Sequence, residues 1–398
     1  MSRMYSWKER LEHFTWTQFL YNIASGGIAT MLGALPYQAL WIRILGTIVF
    51  LYNFSIFMIF TLIMALRAYY FPREFLRSTM HPEEATFLSA YFLSWANILM
   101  GTSSYAMGHV GVWLVDVLRV LFWVYVGITF VQCVLQYVWL FLYEKRTFDD
   151  VSPSWCLLIF PPMLTGSIAN SFASSQSDES ARQMIFAGIT FQALGFLVSL
   201  LIYAVLIIKF ALRGAPPLSA RPGMFIMVGP MAFSGLAWVG LGQIAQEKFG
   251  TGYLTDGFNG GAAFRMIGLW FGCLCWAMCF WILCVVTICV VIGAVRYRME
   301  FKMGWYALVF PNCGFTILTI RLGTSLESPA IKWVGEIMAP VVVAVWLFLS
   351  PFYIKAIINE KIMVPHEDVD AREFKFDRQY PKIPTPPSPE KQVQEKQD

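Results

Sequence analysis

Long apolar segments constrain this chain more than any other feature of its sequence. A helix needs about 20 mostly apolar residues to cross the hydrocarbon layer of a membrane, and ten segments of that kind follow one another along the chain. They lie near 14–35, 44–66, 85–108, 120–143, 154–174, 185–208, 223–245, 266–293, 304–326 and 333–356. The sequence therefore predicts an all-α polytopic membrane protein with ten transmembrane helices.

The composition excludes most other classes of protein. Hydrophobic residues make up 57% of the chain and charged residues 14%, whereas soluble chains carry about 25% charged residues. A net charge of +4 is too small for a nucleic-acid binder of this length. The eight cysteines lie in apolar segments without a CxxC motif or a histidine cluster, so we expect buried thiols, no metal site and no cofactor.

Lysine and arginine residues are distributed unequally between the two sets of loops. Fourteen lie on the side that includes both termini, among them Arg67 and Lys209, and five lie on the opposite side. By the positive-inside rule, both termini face the cytosol. The predicted organisation is a cytosolic N-terminal segment (1–13), a membrane transport domain (14–358) and a disordered, charged, proline-rich cytosolic tail (359–398).

Small and helix-breaking residues are concentrated in the odd-numbered segments. Gly, Ser, Thr, Asn and Pro recur in 159–171 and 228–240, whereas even-numbered segments such as 120–143 are bulky throughout. Small residues permit close helix packing, and a broken helix at membrane depth is tolerated only where protein or a cavity surrounds it. We therefore predict five helical hairpins around a central pore that is lined by the odd-numbered helices. The alternative is that the small residues serve close packing alone.

The charges of the odd-numbered segments indicate the sign of a transported solute. Their interiors contain no Asp or Glu, and their single internal charge is Arg321. A path that offers hydroxyls, amides and one guanidinium suits anions. Alternatively, Arg321 extends to the membrane surface or pairs with Glu327 or Glu336. The candidate anion-binding residues are Arg321, Asn312, Thr316, Ser25, Gly26, Gly27, Asn97, Ser103, Ser104, Thr165, Gly166, Asn170 and Ser234.

Three stretches carry a resemblance to a known family. Residues 13–29, 221–235 and 305–320 resemble the fungal malic acid transport proteins of the tellurite-resistance/dicarboxylate transporter family. That family also includes fungal sulfite efflux pumps and plant slow-type anion channels. The resemblance implies a homotrimer with one pore in each subunit. It also implies that Phe310, just before Pro311, occludes the pore, and that Arg321 provides the electrostatic contact.

The leading functional prediction is a plasma-membrane secondary transporter of malate and related dicarboxylates such as succinate. Because no acidic group is visible in the path, we expect any coupled proton to travel on the partly protonated substrate. The alternatives are efflux of sulfite or another small anion, and a gated anion channel whose tail is phosphorylated at Thr385 or Ser388. No HExxH or GxSxG motif is present, so an enzyme is not expected. The expected partners are small organic anions, membrane lipid and two further copies of the chain, but no nucleic acid.

Overall fold

The computed structural model describes residues 5–81, 84–142, 147–250, 252–253, 258–297 and 300–364. These residues form thirteen α-helices and no β-strand. The helices are α1 (Trp7–Glu12), α2 (Phe19–Gly33), α3 (Leu40–Tyr70), α4 (Pro72–Met80), α5 (Glu84–Tyr105), α6 (Trp113–Leu142), α7 (Cys156–Met163), α8 (Thr165–Phe172), α9 (Asp178–Arg213), α10 (Val228–Lys248), α11 (Gly260–Arg296), α12 (Phe310–Ser325) and α13 (Pro329–Ile358). Short 3₁₀ helices span Trp16–Gln18, Phe148–Asp150, Pro153–Trp155, Ala173–Ser175, Arg221–Met227 and Met303–Leu308.

Helical structure coincides with every apolar segment that the sequence predicted to cross a membrane. In the described part of the chain, seven helices are long and apolar enough to do so, and an eighth crossing is added if α7 and α8, bent by 41°, form one span. The prediction of an all-α polytopic chain is confirmed at this level. The first and third predicted crossings fall short because α2 has 15 residues and α5 carries several Ser and Thr residues. The number ten stays a prediction.

The helices fall into two classes of burial. In the most apolar 18 residues of α3, α6, α9, α11 and α13, between 28% and 33% of the residues are buried. The corresponding values are 94% for Arg221–Lys248 and 78% for Met303–Ser325. Helices α2, α5, α7 and α8 are also mostly buried along their length. We call α2, α5, α7–α8, α10 and α12 the inner helices, and α3, α6, α9, α11 and α13 the outer helices.

The inner helices form a closed ring. Helix α2 packs against α5, α5 against α7 and α8, α8 against α10, α10 against α12, and α12 against α2. Each outer helix packs on the outside of this ring, with α3 on α2, α6 on α7 and α8, α9 on α7, α8 and α10, α11 on α10, and α13 on α12. The outer helices expose many large apolar side chains, as expected for a surface in contact with lipid.

Prolines explain where the inner helices change geometry. Pro161 and Pro162 lie at the end of α7, directly before its bend with α8. Helices α10 and α12 both begin after a 3₁₀ segment, and Pro311 occupies the first turn of α12. Proline lacks an amide hydrogen and is tolerated best in the first turn of a helix. These positions therefore leave main-chain carbonyls without their usual helical partners.

Polar side chains of the outer helices bond to the inner helices near these breaks. The Tyr125 hydroxyl on α6 donates to the carbonyl of Pro161 at 2.8 Å, and the Tyr203 hydroxyl on α9 donates to the carbonyl of Met227. The Cys279 thiol on α11 lies 3.5 Å from the carbonyl oxygen of Val228. A main-chain carbonyl without a partner would be costly at membrane depth. The outer helices thus stabilise the irregular backbone of the inner ring.

The two ends of the described chain meet at one end of the bundle, which we call the base. The Arg10 guanidinium donates to the carbonyl of Ile357 at 3.0 Å, and the amide of Tyr5 donates to Glu360. Of the predicted tail, residues 359–364 are described, with Ile362 and Val364 buried. Residues 365–398, including Thr385 and Ser388, lie outside the described residues.

Arg67 lies buried in a helix, although the sequence analysis counted it among the cations of the loops. This residue was counted among the loop cations, but it lies in the last turn of α3 and only 3% of it is exposed. Its guanidinium donates to the carbonyl of Phe14 at 2.8 Å and contacts the Glu84 carboxylate at 3.3 Å. The buried pair links the turn after α1, which contains Phe14, to α3 and the start of α5.

The hydrogen bond from Tyr125 predicts a measurable loss of stability in Tyr125→Phe. Removing the hydroxyl leaves the buried Pro161 carbonyl with only the amide of Leu164, 3.1 Å away, as a donor, and the loss of one hydrogen bond costs about 0.5–1.5 kcal/mol. We expect the thermal unfolding midpoint of the detergent-solubilised protein to fall by a few degrees. Tyr137→Phe is the matched control on the same helix, because the buried Tyr137 hydroxyl has no hydrogen-bond partner among the described residues. Equal effects of the two changes would contradict the assignment.

Candidate functional site

Three phenylalanine side chains meet in the centre of the bundle, between the inner helices. Phe310 of α12 stacks on Phe233 of α10, with ring centroids 4.7 Å apart and planes 24° apart. Phe160 of α7 lies 5.9 Å from Phe310 and 5.7 Å from Phe233. Because α10 separates α7 from α12 in the ring, a contact between Phe160 and Phe310 requires both side chains to project inward. We call these three residues the aromatic plug.

Each ring of the plug lies on a glycine of the next inner helix. A Cβ atom on Gly229 of α10 would lie 2.8 Å from Phe160, and one on Gly314 of α12 would lie 2.7 Å from Phe233. A Cβ atom on Gly27 of α2 would lie 3.0 Å from Phe310. We call Gly27, Gly229 and Gly314 the seat glycines. The absence of side chains at these positions allows the rings to lie directly against the neighbouring backbone.

The local sequence places Phe310 and Phe160 in similar positions. Phe310 is the first residue of α12 and Pro311 the second, so the ring projects from the point where the 3₁₀ segment becomes an α-helix. Phe160 directly precedes Pro161 in α7. The sequence analysis identified Phe310 and Pro311 but missed Phe160, which the repeated Phe-Pro pair could have indicated. Phe233 has no such motif, and only the tertiary structure reveals its position.

Arg321 lies on the same face of α12 as Phe310. Eleven residues correspond to about three helical turns, so the two side chains differ by about 20° around the helix and by about 16 Å along it. The Nε atom of Arg321 is buried and has no hydrogen-bond partner among the described residues. Within the same residues, no ion pair joins Arg321 to Glu327 or Glu336. The guanidinium is therefore available to an anion.

Asn170 of α8 contacts the face of α10 that carries Phe233. Gly240 follows Phe233 by seven residues, which returns to nearly the same face of the helix. A Cβ atom on Gly240 would lie only 1.8 Å from the Oδ1 atom of Asn170. The Asn170 amide therefore occupies the space that a side chain at Gly240 would need. This arrangement places a polar group two turns along α10 from the plug.

Three other predicted residues present buried polar atoms without partners in the described structure. These atoms are Oδ1 of Asn97, Oγ1 of Thr165 and Oδ1 of Asn312. The amide nitrogen of Asn97 donates to the carbonyl of Ile23 at 3.3 Å, and that of Asn312 donates to the carbonyl of Leu308 at 2.7 Å. Unpaired buried polar atoms are rare in proteins and require an explanation such as bound water or a ligand.

Three predicted residues lie at contacts with outer helices instead of near the plug. Ser25 accepts a hydrogen bond from Trp346 of α13 at 3.1 Å. Ser234 pairs with Gln192 of α9 at 3.0 Å, and a Cβ atom on Gly166 would lie 2.5 Å from the same Gln192 side chain. These positions support the attachment of outer helices to the inner ring.

The remaining predicted residues lie at contacts between inner helices or bond within their own helix. The Ser103 hydroxyl donates to the carbonyl of Ser171 at 2.9 Å, which joins α5 to α8. A Cβ atom on Gly26 would lie 2.7 Å from the Cβ of Asn97. The hydroxyls of Ser104 and Thr316 donate to carbonyls of their own helices, Met100 and Asn312 respectively.

The described inner helices carry carboxylates only near their ends. Glu84 is the first residue of α5 and is paired with Arg67, and Glu247 lies exposed in the last turn of α10. Arg321 is therefore the only charge in the central part of the described ring. A cation would meet no acidic side chain beside the plug, whereas an anion would meet an unpaired guanidinium.

Comparison with known proteins agrees with this geometry. The model of the SLAC1 family, described as voltage-dependent anion channel, matches residues 13–353. The chain is 32% identical to the malic acid transport protein of Schizosaccharomyces pombe over 365 residues, which cover 91% of the chain and 83% of that relative. A putative malic acid transport protein of the same organism is 29% identical over 363 residues, covering 91% of the chain and 84% of the relative.

More distant similarity extends to a different group of transport proteins. The sulfite efflux pump SSU1 of Arthroderma benhamiae is 22% identical over 334 residues, covering 83% of the chain and 87% of the pump. The family match spans nearly all of the helices described above, and the apolar outer helices agree with a location in a membrane. This chain is therefore an integral membrane protein that belongs to the SLAC1 voltage-dependent anion channel family.

Proposed function

We propose that this protein is a plasma-membrane secondary transporter of malate and related dicarboxylate anions. The main support is the 32% identity to a malic acid transport protein across 91% of the chain. The position of Arg321 adds physical support, because an unpaired guanidinium beside a path without carboxylates favours anions. Amide and hydroxyl groups on α5, α8 and α12 suit a substrate with a hydroxyl and two carboxylates.

We propose that the inner helices line one pore in each subunit. The burial contrast between inner and outer helices supports five hairpins and ten crossings, with the short α2 and the less apolar α5 as the first and third. The distribution of Lys and Arg supports cytosolic termini, and hence a cytosolic base with the predicted tail beyond it. The proposed assembly is a homotrimer, which rests on the family resemblance.

The proposed pathway has two functional levels. Phe310 and Pro311 form the gate, where the aromatic plug closes the ring to solute. About three turns away, Arg321 binds one carboxylate of the substrate through charge-assisted hydrogen bonds. Asn170, Asn97, Thr165 and Asn312 supply further hydrogen-bonding groups along the path. We expect the other predicted residues to act indirectly, by maintaining the packing of the inner helices that carry these groups. They are Ser25, Gly26, Gly27, Gly166, Ser103, Ser104, Ser234 and Thr316.

The charges of the pathway also bear on proton coupling. The central part of the described ring contains no carboxylate or histidine that could carry a proton. We therefore propose that the proton crosses on the substrate, as the monoanion of the dicarboxylic acid. Binding of a monoanion to Arg321 requires less compensating charge than binding of a dianion.

Uptake into vesicles tests the substrate and the proton hypothesis together. We expect purified protein in liposomes to take up radiolabelled malate and succinate faster than sulfite. At different pH values, the initial malate rate should follow the concentration of the monoanion. A rate that follows total malate would contradict the proposed protonation state, and protein-free liposomes provide the baseline.

A second candidate function is the efflux of sulfite or another small anion. The 22% identity to a sulfite efflux pump over 83% of the chain favours this alternative. The family description, voltage-dependent anion channel, favours a gated channel as a further alternative. Sulfite flux faster than malate flux would favour the pump. Flux that does not saturate with substrate concentration would favour a channel, for which Thr385 and Ser388 in the tail would be candidate regulatory sites.

Replacing Arg321 tests the proposed anion contact. In Arg321→Gln, loss of a charge-assisted hydrogen bond worth about 1.5–3 kcal/mol should raise the KM for malate about tenfold or more. Selection of dicarboxylates over monocarboxylates should weaken in parallel. Arg265→Gln is the control, because the Arg265 side chain donates to Gln246 on the exposed surface. An unchanged anion preference in Arg321→Gln would favour a surface role for this arginine.

Replacing Phe310 tests the proposed gate. Phe310→Ala removes a ring that is 5% exposed at the centre of the plug, so we expect a faster leak of malate from preloaded liposomes. The matched control is Phe315→Ala on the same helix, whose ring packs toward Trp276 of α11. A leak of the same size in both variants would indicate general loosening of α12 instead of gate opening.

A further inference from the structure

We infer that the gate is a unit of three rings, in which Phe160 and Phe233 occlude the path together with Phe310 and open with it. This inference rests on the proposed passage of anions through the inner ring. It assigns Phe160 and Phe233 to the gate, and it implies that the seat glycines determine where the three phenylalanine side chains lie.

The distances support a single unit. All three pairs of rings in the plug are in contact, with centroids 4.7, 5.7 and 5.9 Å apart. The exposed fractions are 1% for Phe160, 3% for Phe233 and 5% for Phe310. Aromatic rings at such separations stabilise one another beyond the burial of their area. Movement of Phe310 alone would break its contacts with both neighbours.

The seat glycines restrict the direction in which the rings can move. At 2.7–3.0 Å, the hypothetical Cβ positions are closer to the rings than carbon atoms normally approach, since the optimum is about 3.5–4.0 Å. Each ring therefore has backbone behind it and the other two rings beside it. A methyl group at a seat would push the ring toward the centre of the plug.

The arrangement along α12 links Phe233 directly to Phe310. Gly314, the seat of Phe233, lies four residues after Phe310, so both rings cover the same turn of α12. Pro311 fixes the start of this helix and thereby the position of Phe310. A shift of α12 relative to α10 would displace both rings at once.

A seat substitution tests this inference through its effect on flux. Gly229→Ala should push Phe160 inward and lower malate uptake about tenfold, because overpacking of this kind costs about 1–3 kcal/mol. Adding Phe160→Leu in the same chain should restore uptake to the rate of Phe160→Leu alone. Gly127→Ala on α6 is the control, since in the described part of the chain no atom outside the local backbone of α6 lies within 4 Å of its Cβ position.

The outcomes of the seat experiment separate the possibilities. Loss of uptake in Gly229→Ala with restoration by Phe160→Leu would support the three-ring gate. Normal uptake in Gly229→Ala would overturn it, as would a loss that Phe160→Leu does not correct while both proteins remain folded by gel filtration. Absence of malate uptake by the unsubstituted protein would instead contradict the proposed function.

A second measurement tests the plug without any transported substrate. Cys313 is 1% exposed, and its sulfur lies 3.2 Å from the Cβ position of Gly27, on the same turn as Phe310. We expect N-ethylmaleimide to label Cys313 slowly in the unsubstituted protein, faster in Phe310→Ala and faster still in Phe233→Ala/Phe310→Ala. Mass spectrometry of the modified peptides measures each cysteine separately.

Cys279 provides the internal control for this labelling. It is a free and fully buried thiol on α11, where it faces the carbonyl of Val228. Labelling of Cys279 should remain slow in every variant. Equal labelling of Cys313 in the single and double variants would show that Phe310 occludes alone. A parallel rise at Cys279 would show general loss of packing, and either result would overturn the three-ring gate.

Discussion

The need to satisfy main-chain polar groups away from water shapes this structure most strongly. Prolines interrupt the inner helices at α7 and in the first turn of α12, and α10 begins after a 3₁₀ segment, so carbonyl groups lose their usual helical partners at these places. Tyr125 and Tyr203 of the outer helices donate hydrogen bonds at two of these breaks. Because lipid offers no such donors, the broken helices are stable in a membrane only where other helices surround them. The division into inner and outer helices follows from this requirement.

The same irregular backbone positions the chemistry of the proposed pathway. Phe310 projects inward because α12 begins at that residue, and Arg321 lies on the same face three turns later. The plug is apolar and closely packed, whereas the region near Arg321 and Asn170 is polar. Such a division suits the proposed transporter, in which the plug would exclude solute and the polar level would bind it. Among the described residues Arg321 forms no ion pair, and this is central to the proposal because a paired guanidinium would have little affinity left for an anion.

Much of the fold could be predicted because hydrophobic pattern and residue size report directly on helix environment. The alternation between small and bulky segments predicted two helix classes, and the buried shares of α10 and α12 against those of the outer helices agree with it. The site was predicted less fully. Ser25 and Ser234 looked equivalent to Asn97 in sequence, yet they bond to outer helices. The rotation of each helix about its own axis decides which neighbour a side chain contacts. The type of residue alone does not reveal that rotation.

The sequence by itself determined the helical membrane character, the alternation of helix classes, and Arg321 as the single internal charge of the odd-numbered segments, because these depend on composition along a single segment. Only the tertiary structure decided that Phe160 and Phe233 join Phe310 and that each ring lies on a glycine of the next helix. Those contacts join residues at least 69 positions apart. They depend on the relative depth and rotation of four helices, α2, α7, α10 and α12, which the close packing of all the inner helices sets.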